Sequence, residues 1–208
     1  MKQIDQAVRI LKSGGVVVYP TDTAYGLAVD AANFEAVKKL YRLKGRNFSK
    51  PIHVIPPTND IRSFAAVTPF AQKLIKKLMP GPITVVLPLR AKGRSWQLLS
   101  ARTETIGIRR PKNRLALALA KKLGNPITAT SANKSGGANT YTIKEVQEQF
   151  KEGLKPDFYL DGGKLKQTKP STVVSIGDGR VRILRQGPIS EKQIKKICKT
   201  TSTIFRIK

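Results

Sequence analysis

Two short polar pairs, Lys44-Gly45-Arg46 and Ser131-Ala132-Asn133, carry the residue types best suited to chemistry in this chain. Each spaces two functional side chains at i and i+2. In extended backbone that spacing turns both toward one side, because successive residues alternate faces. One pair offers two cations rich in donors, the other a hydroxyl and an amide. Together they could grip a polyphosphate and orient a small polar substrate, so the chain reads as a nucleotide-using enzyme. The sequence has no GxxxxGK[ST] run and no GxGxxG opening a helix after a strand. A nucleotide site must therefore be assembled from scattered residues.

Other candidates lie along the chain. Pro20-Thr21-Asp22-Thr23-Ala24-Tyr25-Gly26 joins two expected strands, and its hydroxyls and carboxylate suit a loop that holds a small polar molecule. The plainer reading is a connection whose threonines satisfy nearby backbone groups. Lys44 as a point charge and Arg46 as a bidentate fork fit phosphate oxygens, although a charged surface hinge has the same composition. His53, the only histidine, lies on Ile52-His53-Val54-Ile55, on the face opposite Ile52 and Val54. It is either a hydrogen-bonded strand residue or a site residue. Thr105 and Arg109 share a strand face, and Arg109 can clamp a carboxylate or belong to a basic patch. Ser131, Asn133 and Ser135-Gly136-Gly137 make a polar loop at a strand end, where open α/β sheets place ligands, or a simple turn cluster. Ser171-Thr172 and Arg185 complete the set. No serine–histidine–acid order stands out, and acids are too sparse for a two-carboxylate hydrolase.

These residues sit in a chain of 208 residues, 40% of them hydrophobic, enough for one full core. Thirty-nine basic against thirteen acidic residues leave a net charge of +26, a field that attracts polyanions such as RNA; a lysine-rich solvated surface is the alternative. Arg90, Lys92, Arg94, Arg102, Arg109, Arg110, Lys112, Arg114, Lys121 and Lys122 are opposed only by Glu104, which favours a patch. The single Cys198 excludes an internal disulfide or a CxxC site. The N-terminus has no signal-peptide core, no apolar run can span a bilayer, and a cytoplasmic protein without membrane contact is expected. The sequons at Asn47 and Asn133 then read as chance.

The positioning elements follow from periodicity. Ile4, Val8 and Leu11 share a helix face stopped by Ser13-Gly14-Gly15. Strands are expected at 16–19, 25–29, 52–55, 83–87, 105–109, 127–130, 158–160, 172–176 and 181–184. Helices are expected from Asn33 to Leu40 or Tyr41, from Thr68 to Leu78, from Asn113 to Leu123, around 143–150 and 190–198, with a short one over 59–65. Met79-Pro80-Gly81-Pro82 is a rigid turn, and Gly177-Asp178-Gly179 a hairpin turn. Alternating elements closed by a hairpin predict an α/β domain with a mixed sheet.

Val18-Tyr19-Pro20-Thr21-Asp22-Thr23-Ala24-Tyr25-Gly26-Leu27 resembles the opening motif of the YrdC-like family, the threonylcarbamoyl-adenylate synthases. Lys44-x-Arg46 with Ser131-x-Asn133 resembles that family's signature tetrad. Pro80-Gly81-Pro82-x-Thr84, Thr105-Ile106-Gly107-Ile108-Arg109, Ser171-Thr172-Val173-Val174 and Ile183-Leu184-Arg185-x-Gly187 match in the same order. The likeness covers residues 4–190, leaving a C-terminal helix and tail over 190–208, and implies a single domain over 1–208.

What the resemblance implies is specific. The fold would be a twisted mixed open sheet with flanking helices and a concave basic cavity. L-threonine, bicarbonate and ATP would give threonylcarbamoyl-AMP and pyrophosphate, for the t6A modification of tRNA by a downstream transferase machinery. Thr21, His53, Arg109, Ser131 and Ser171 would surround threonine. Lys44, Arg46, Thr105, Asn133, Thr142 and Arg185 would serve the nucleotide. Mg2+ would ride mainly on the phosphates, with no organic cofactor and no protein metal site. Asn47 stands where the family commonly has proline, and the loop from Ser135 to Thr142 is atypical. The chain ends about twenty residues after Gly187, which matches the short single-domain form. A non-catalytic module that binds double-stranded RNA or tRNA is the alternative. A carbamoyl-adenylate module of hydrogenase maturation proteins would normally sit in a longer chain with cysteine motifs.

Overall fold

In this computed structural model, residues 2–177 and 180–199 are described. The strands are β1 (Val17–Pro20), β2 (Tyr25–Ala28), β3 (His53–Ile55), β4 (Ile83–Pro88), β5 (Thr105–Arg109), β6 (Ile127–Ser131), β7 (Phe158–Tyr159), β8 (Thr172–Gly177) and β9 (Arg180–Arg185). They form one sheet in the order β7-β1-β2-β6-β3-β5-β4-β8-β9. The β1/β7, β3/β5 and β4/β8 pairs are parallel and the rest antiparallel, so the sheet is mixed as expected. The helices are α1 (Lys2–Lys12), α2 (Phe34–Lys44), α3 (Pro69–Leu78), α4 (Arg94–Leu99), α5 (Arg114–Leu123), α6 (Ile143–Gln149) and α7 (Glu191–Lys199). Asp178 and Gly179 of the expected hairpin turn, and the expected tail from Thr200, lie outside the described residues.

Local chemistry sets most helix starts. Asn33, Thr68, Asn113 and Thr142 each accept a backbone N–H from the first turn that follows, which satisfies donors no helical carbonyl can reach. Three expectations need correction. α2 runs to Lys44, past Tyr41, and stops because Gly45 turns left-handed (φ 59°), a conformation glycine adopts without steric cost. The helix expected over 59–65 is a turn. There Thr58 Oγ1 accepts from Asp60 N–H and Asp60 Oδ1 from Arg62 N–H, local bonds that compete with a helix. The six-residue α4 has no clean 3.6-residue period and was not expected.

Strand alternation divides the core in two. Val18, Leu27, Val54, Val85 and Ile108 face a cluster that includes side chains of α2, α3, α4 and α7. Val17, Tyr19, Ala28, Ile55 and Ile127 face the other way, against α1 and α5. α1 and α5 cover only part of that second face, and the uncovered part is the floor of a cavity. The same division corrects the basic patch. Arg94 lies on α4 and Lys121 and Lys122 on α5, on opposite faces of the sheet, so the run from Arg90 to Lys122 is not one surface. Among the described residues no helix is long and apolar enough to cross a membrane.

Candidate active site

The cavity opens where β1, β2, β3, β4, β5 and β6 meet the loops before β8 and after β6. Its enclosed volume is about 170 Å3, and Thr21, Arg46, His53, Arg109, Ser131, Ser171 and Arg185 line it. Seven of the expected site residues are thus brought together from four strands and three loops.

At one end stands Arg109, the last residue of β5. Its Nη2 donates to Asp22 Oδ1, to Thr23 Oγ1 at 2.7 Å and to Thr21 Oγ1 at 3.4 Å. The Asp22 and Arg109 side chains are only 11% and 13% exposed, so the pair has lost most of its water and depends on these contacts. Asp22 Oδ2 accepts the Lys112 N–H at 3.0 Å, which fixes the carboxylate from behind. Thr21 Oγ1 also accepts the N–H groups of Thr23 and Ala24 and donates to Ala24 O at 2.6 Å. The threonines therefore do satisfy their own turn, and the turn is built around the guanidinium. Arg109 Nε is buried and without a hydrogen-bond partner.

Next to Arg109 across the β4/β5 ladder is Thr84, whose hydroxyl meets Ser171 Oγ at 3.0 Å. Arg185 grips the same serine, Nε to Ser171 O at 3.0 Å and Nη2 to Ser171 Oγ at 3.2 Å. His53 faces Gly107 so closely that a Cβ there would come within 2.0 Å of Nδ1. Only glycine lets the ring lie flat on β5. Burial first, and then the cations Arg185, Arg109 and Arg46, push the His53 pKa down to about 4, so the imidazole is neutral at neutral pH.

The other end is built differently. Ser131 Oγ donates to Asn133 Oδ1 at 2.7 Å, and Asn133 Nδ2 donates to the carbonyls of Gly137 and Ala138. Lys44 reaches this turn from below: Nζ donates to Ser131 O at 2.6 Å, Asn133 O at 2.7 Å and Asn133 Oδ1 at 3.1 Å. It is 1% exposed and does not line the cavity. Burial, with the Arg46 cation second, pulls its pKa down to about 7, while three acceptors match the three protons of an ammonium. The same-side reading of the pair therefore fails, because Lys44 is helical and Gly45 left-handed. Lys44 points inward and only Arg46 reaches the rim. There Arg46 donates to Lys50 O and Pro51 O.

Besides Lys44, three expected residues do not line the cavity: Asn133, buried with both side-chain polar atoms engaged in its own turn, Thr105 and Thr142. Thr105 shares a face with Arg109 but begins β5, opposite Pro88, and its hydroxyl meets Thr103 at 2.9 Å. Thr142 caps α6 through Glu145 N–H. Conversely, Thr23, Thr84 and Asn139 line the cavity and were not singled out individually. Thr23 lay inside a motif already recognised, whereas nothing in the local sequence marks Asn139.

The lining is cationic. Arg46, Arg109 and Arg185 converge, and among the described residues Asp22 is the sole carboxylate that pairs with any of them. The arrangement fits an anion with several charged oxygens next to a small zwitterion. No group of three or more His, Cys, Asp or Glu that could hold a metal exists among the described residues, and both Asp22 oxygens are engaged.

Comparison with known proteins agrees with this geometry. A family model described as telomere recombination, Sua5/YciO/YrdC, matches residues 9–187. A putative threonylcarbamoyl-AMP synthase of Methanocaldococcus jannaschii is 34% identical over 88% of this chain and 85% of its own length. The threonylcarbamoyl-AMP synthase of Bacillus subtilis is 36% identical over 94% of this chain, which spans 56% of that protein. The crystal structure of P. abyssi Sua5 complexed with L-threonine superposes with a TM-score of 0.88 at 30% identity, covering 99% of this chain and 58% of the other.

Proposed function

Because this chain belongs to the Sua5/YciO/YrdC family, we propose that it is a threonylcarbamoyl-AMP synthase acting in the t6A modification of tRNA. The observation that carries the reading is the convergence of Arg109, Ser171, Arg185, Arg46 and the Lys44-held Ser131–Asn133 turn on one cavity. The enclosed 170 Å3 takes about a dozen groups of water size, the size of an amino acid bearing a carbamate. The nucleotide would extend into the open part.

In this reading the Arg109 guanidinium and the Ser171 hydroxyl hold the threonine carboxylate, with Asp22 positioning Arg109 and Thr21 bracing the turn beside it. The neutral His53 adds no positive charge beside the amine. Bicarbonate takes up a proton and loses water to give CO2; the neutral amine nitrogen then bonds to that carbon, loses a proton and becomes a carbamate. A carbamate oxygen then attacks the α-phosphorus of ATP, the bond to the β-phosphate oxygen breaks, and pyrophosphate leaves. Arg46 and Arg185 offset phosphate charge, and Ser131, held in place by Asn133, orients the reacting groups. Positioning and charge supply the catalysis, as in phosphoryl transfer generally. Mg2+ enters as part of the ATP substrate, since the acids present do not make a protein site. The continuous sheet supports a single domain, and a cytoplasmic place of action follows from the substrates.

Pyrophosphate release from Mg·ATP, measured with L-threonine and bicarbonate omitted in turn, tests the reading. Release that requires both supports it. Release without threonine points to another amine, and no release favours the non-catalytic RNA module.

A further inference from the structure

We propose that the groove between α2 and α4, beyond the loop that joins α2 to β3, binds a short unpaired stretch of RNA. This does not rest on the catalytic reading. The groove has a volume of about 560 Å3 and is lined by Phe34, Lys38, Phe48, Arg94 and Arg102 among others, with no carboxylate in its lining.

Aromatic faces and cations alternate along it. The Arg94 guanidinium lies 4.1 Å from the centre of the Phe34 ring, and Lys38 Nζ lies 5.3 Å from it. Phe48 packs against Tyr41 with ring centres 5.0 Å apart, yet stays 47% exposed. Burying it against the core would remove apolar area from water, so its exposure leaves a ring free for a partner. Arg94 and Arg102 form no ion pair among the described residues, and Lys38 meets Glu35 at 3.1 Å in a solvent-screened pair. Just after α4, Ala101 and Arg102 take φ values of 50° and 60°. Bonds from Ala101 N–H to Leu98 O and from Arg102 N–H to Gln97 O, both 3.0 Å, hold this left-handed turn. It brings both residues back to the groove.

The exposed Phe48 ring, in one groove with Arg94 and Arg102, suits a base with a free face and phosphates along the same strand. A duplex keeps its bases stacked inside and offers no such face, so the occupant is a single strand. The 45–51 loop borders both sites: Arg46 and Pro51 line the cavity, while Phe48 and Ser49 line the groove. The groove is nevertheless separate, since none of its residues belongs to the catalytic set.

Fluorescence anisotropy of the full chain with labelled oligouridylate, about eight nucleotides as suits one such site, and with a duplex of equal length tests this. Phe48→Ala and Phe48→Leu should each weaken single-strand binding by about ten-fold while leaving duplex binding and pyrophosphate release unchanged, Phe48→Leu keeping most of the apolar contact with Tyr41. Arg94→Gln with Arg102→Gln should lower the salt slope of single-strand binding by about 1.4, two phosphate contacts at ~0.7 each. Wild-type affinity in these variants, an equal loss for single strand and duplex, or no single-strand binding by the wild type would each overturn the proposal. The last outcome would turn the search to a protein partner.

Discussion

The two ends of the active-site cavity hold their cations by different chemistry. Arg109 is paired with a carboxylate that belongs to the chain, Asp22, and still keeps Nε buried and unpartnered. Lys44 has no acid beside it. Its three protons are spent on two backbone carbonyls and one amide oxygen. One cation is held ready for an incoming anion, whereas the other is saturated and shapes the loop above it. A buried charge on neutral acceptors is costly to keep, which is why the Lys44 pKa falls to about 7 while the acid beside Arg109 compensates its burial. Two residues that look alike in a motif, Lys44 and Arg46, thus do unlike work.

Breaking Lys44 should have the largest effect. Lys44→Ala takes a buried donor from Asn133 O and one of two donors each from Ser131 O and Asn133 Oδ1, so we expect a loss of about 2–4 kcal/mol in stability together with abolished pyrophosphate release. Arg46→Ala, at the half-exposed rim, should lower activity but move stability by only about 0.5 kcal/mol. Urea melts beside the activity assay read this contrast, and equal stability losses in the two variants would erase the distinction. Arg109→Ala comes next. It removes the anion clamp and strands Asp22, for about a thousand-fold fall in kcat/KM for threonine, in the range of truncated buried charge pairs. Asp22→Asn keeps the shape and the Lys112 bond but loosens the guanidinium. We expect about a ten-fold rise in threonine KM with kcat little changed, a loss of binding shared by ground and transition states. A fall in kcat alone would place Asp22 in the chemical step instead.

A smaller effect separates the ends by pH. Between about 7 and 10.5 the unfolded chain binds a proton at Lys44 that the folded chain has lost, so stability rises with pH across that window. Chemical denaturation of the wild type and Lys44→Met at several pH values should show the rise in the wild type only. His53 gives the acid counterpart. With its folded pKa near 4 against an ordinary 6.5, stability should fall as pH drops from 6.5 toward 4, and His53→Asn should flatten that limb.

Much of the fold could be read from local pattern, and the reasons are local. Asn33, Thr68 and Asn113 cap the helices they precede, and the β-branched run at Ile83 reads as a strand by composition. The short helix at Arg94 was missed because its apolar residues follow no helical period. The turn at 59–65 was misread because side-chain bonds of Thr58 and Asp60 outcompete a helix there. In the site, Arg109 and His53 were legible because strand alternation sets their direction, and Ser171 through the motif it opens. Lys44 was not, because its direction depends on one left-handed glycine. Asn139 is placed by tertiary packing of the glycine-rich loop, and the pairing of Asp22 with Arg109 joins residues 87 positions apart. Neither leaves a trace in nearby sequence. The basic run from Arg90 to Lys122 misled because contiguity in sequence crosses the sheet.

The central claim is that this cavity joins carbon from bicarbonate to threonine and then to AMP. Mass spectrometry of a reaction containing Mg·ATP, L-threonine and 13C-bicarbonate addresses it directly. The account predicts an adduct of AMP with threonine that carries the labelled carbon, formed with pyrophosphate and absent in Arg109→Ala. Pyrophosphate without a labelled adduct, or an adduct that Arg109→Ala still makes at the wild-type rate, would contradict it.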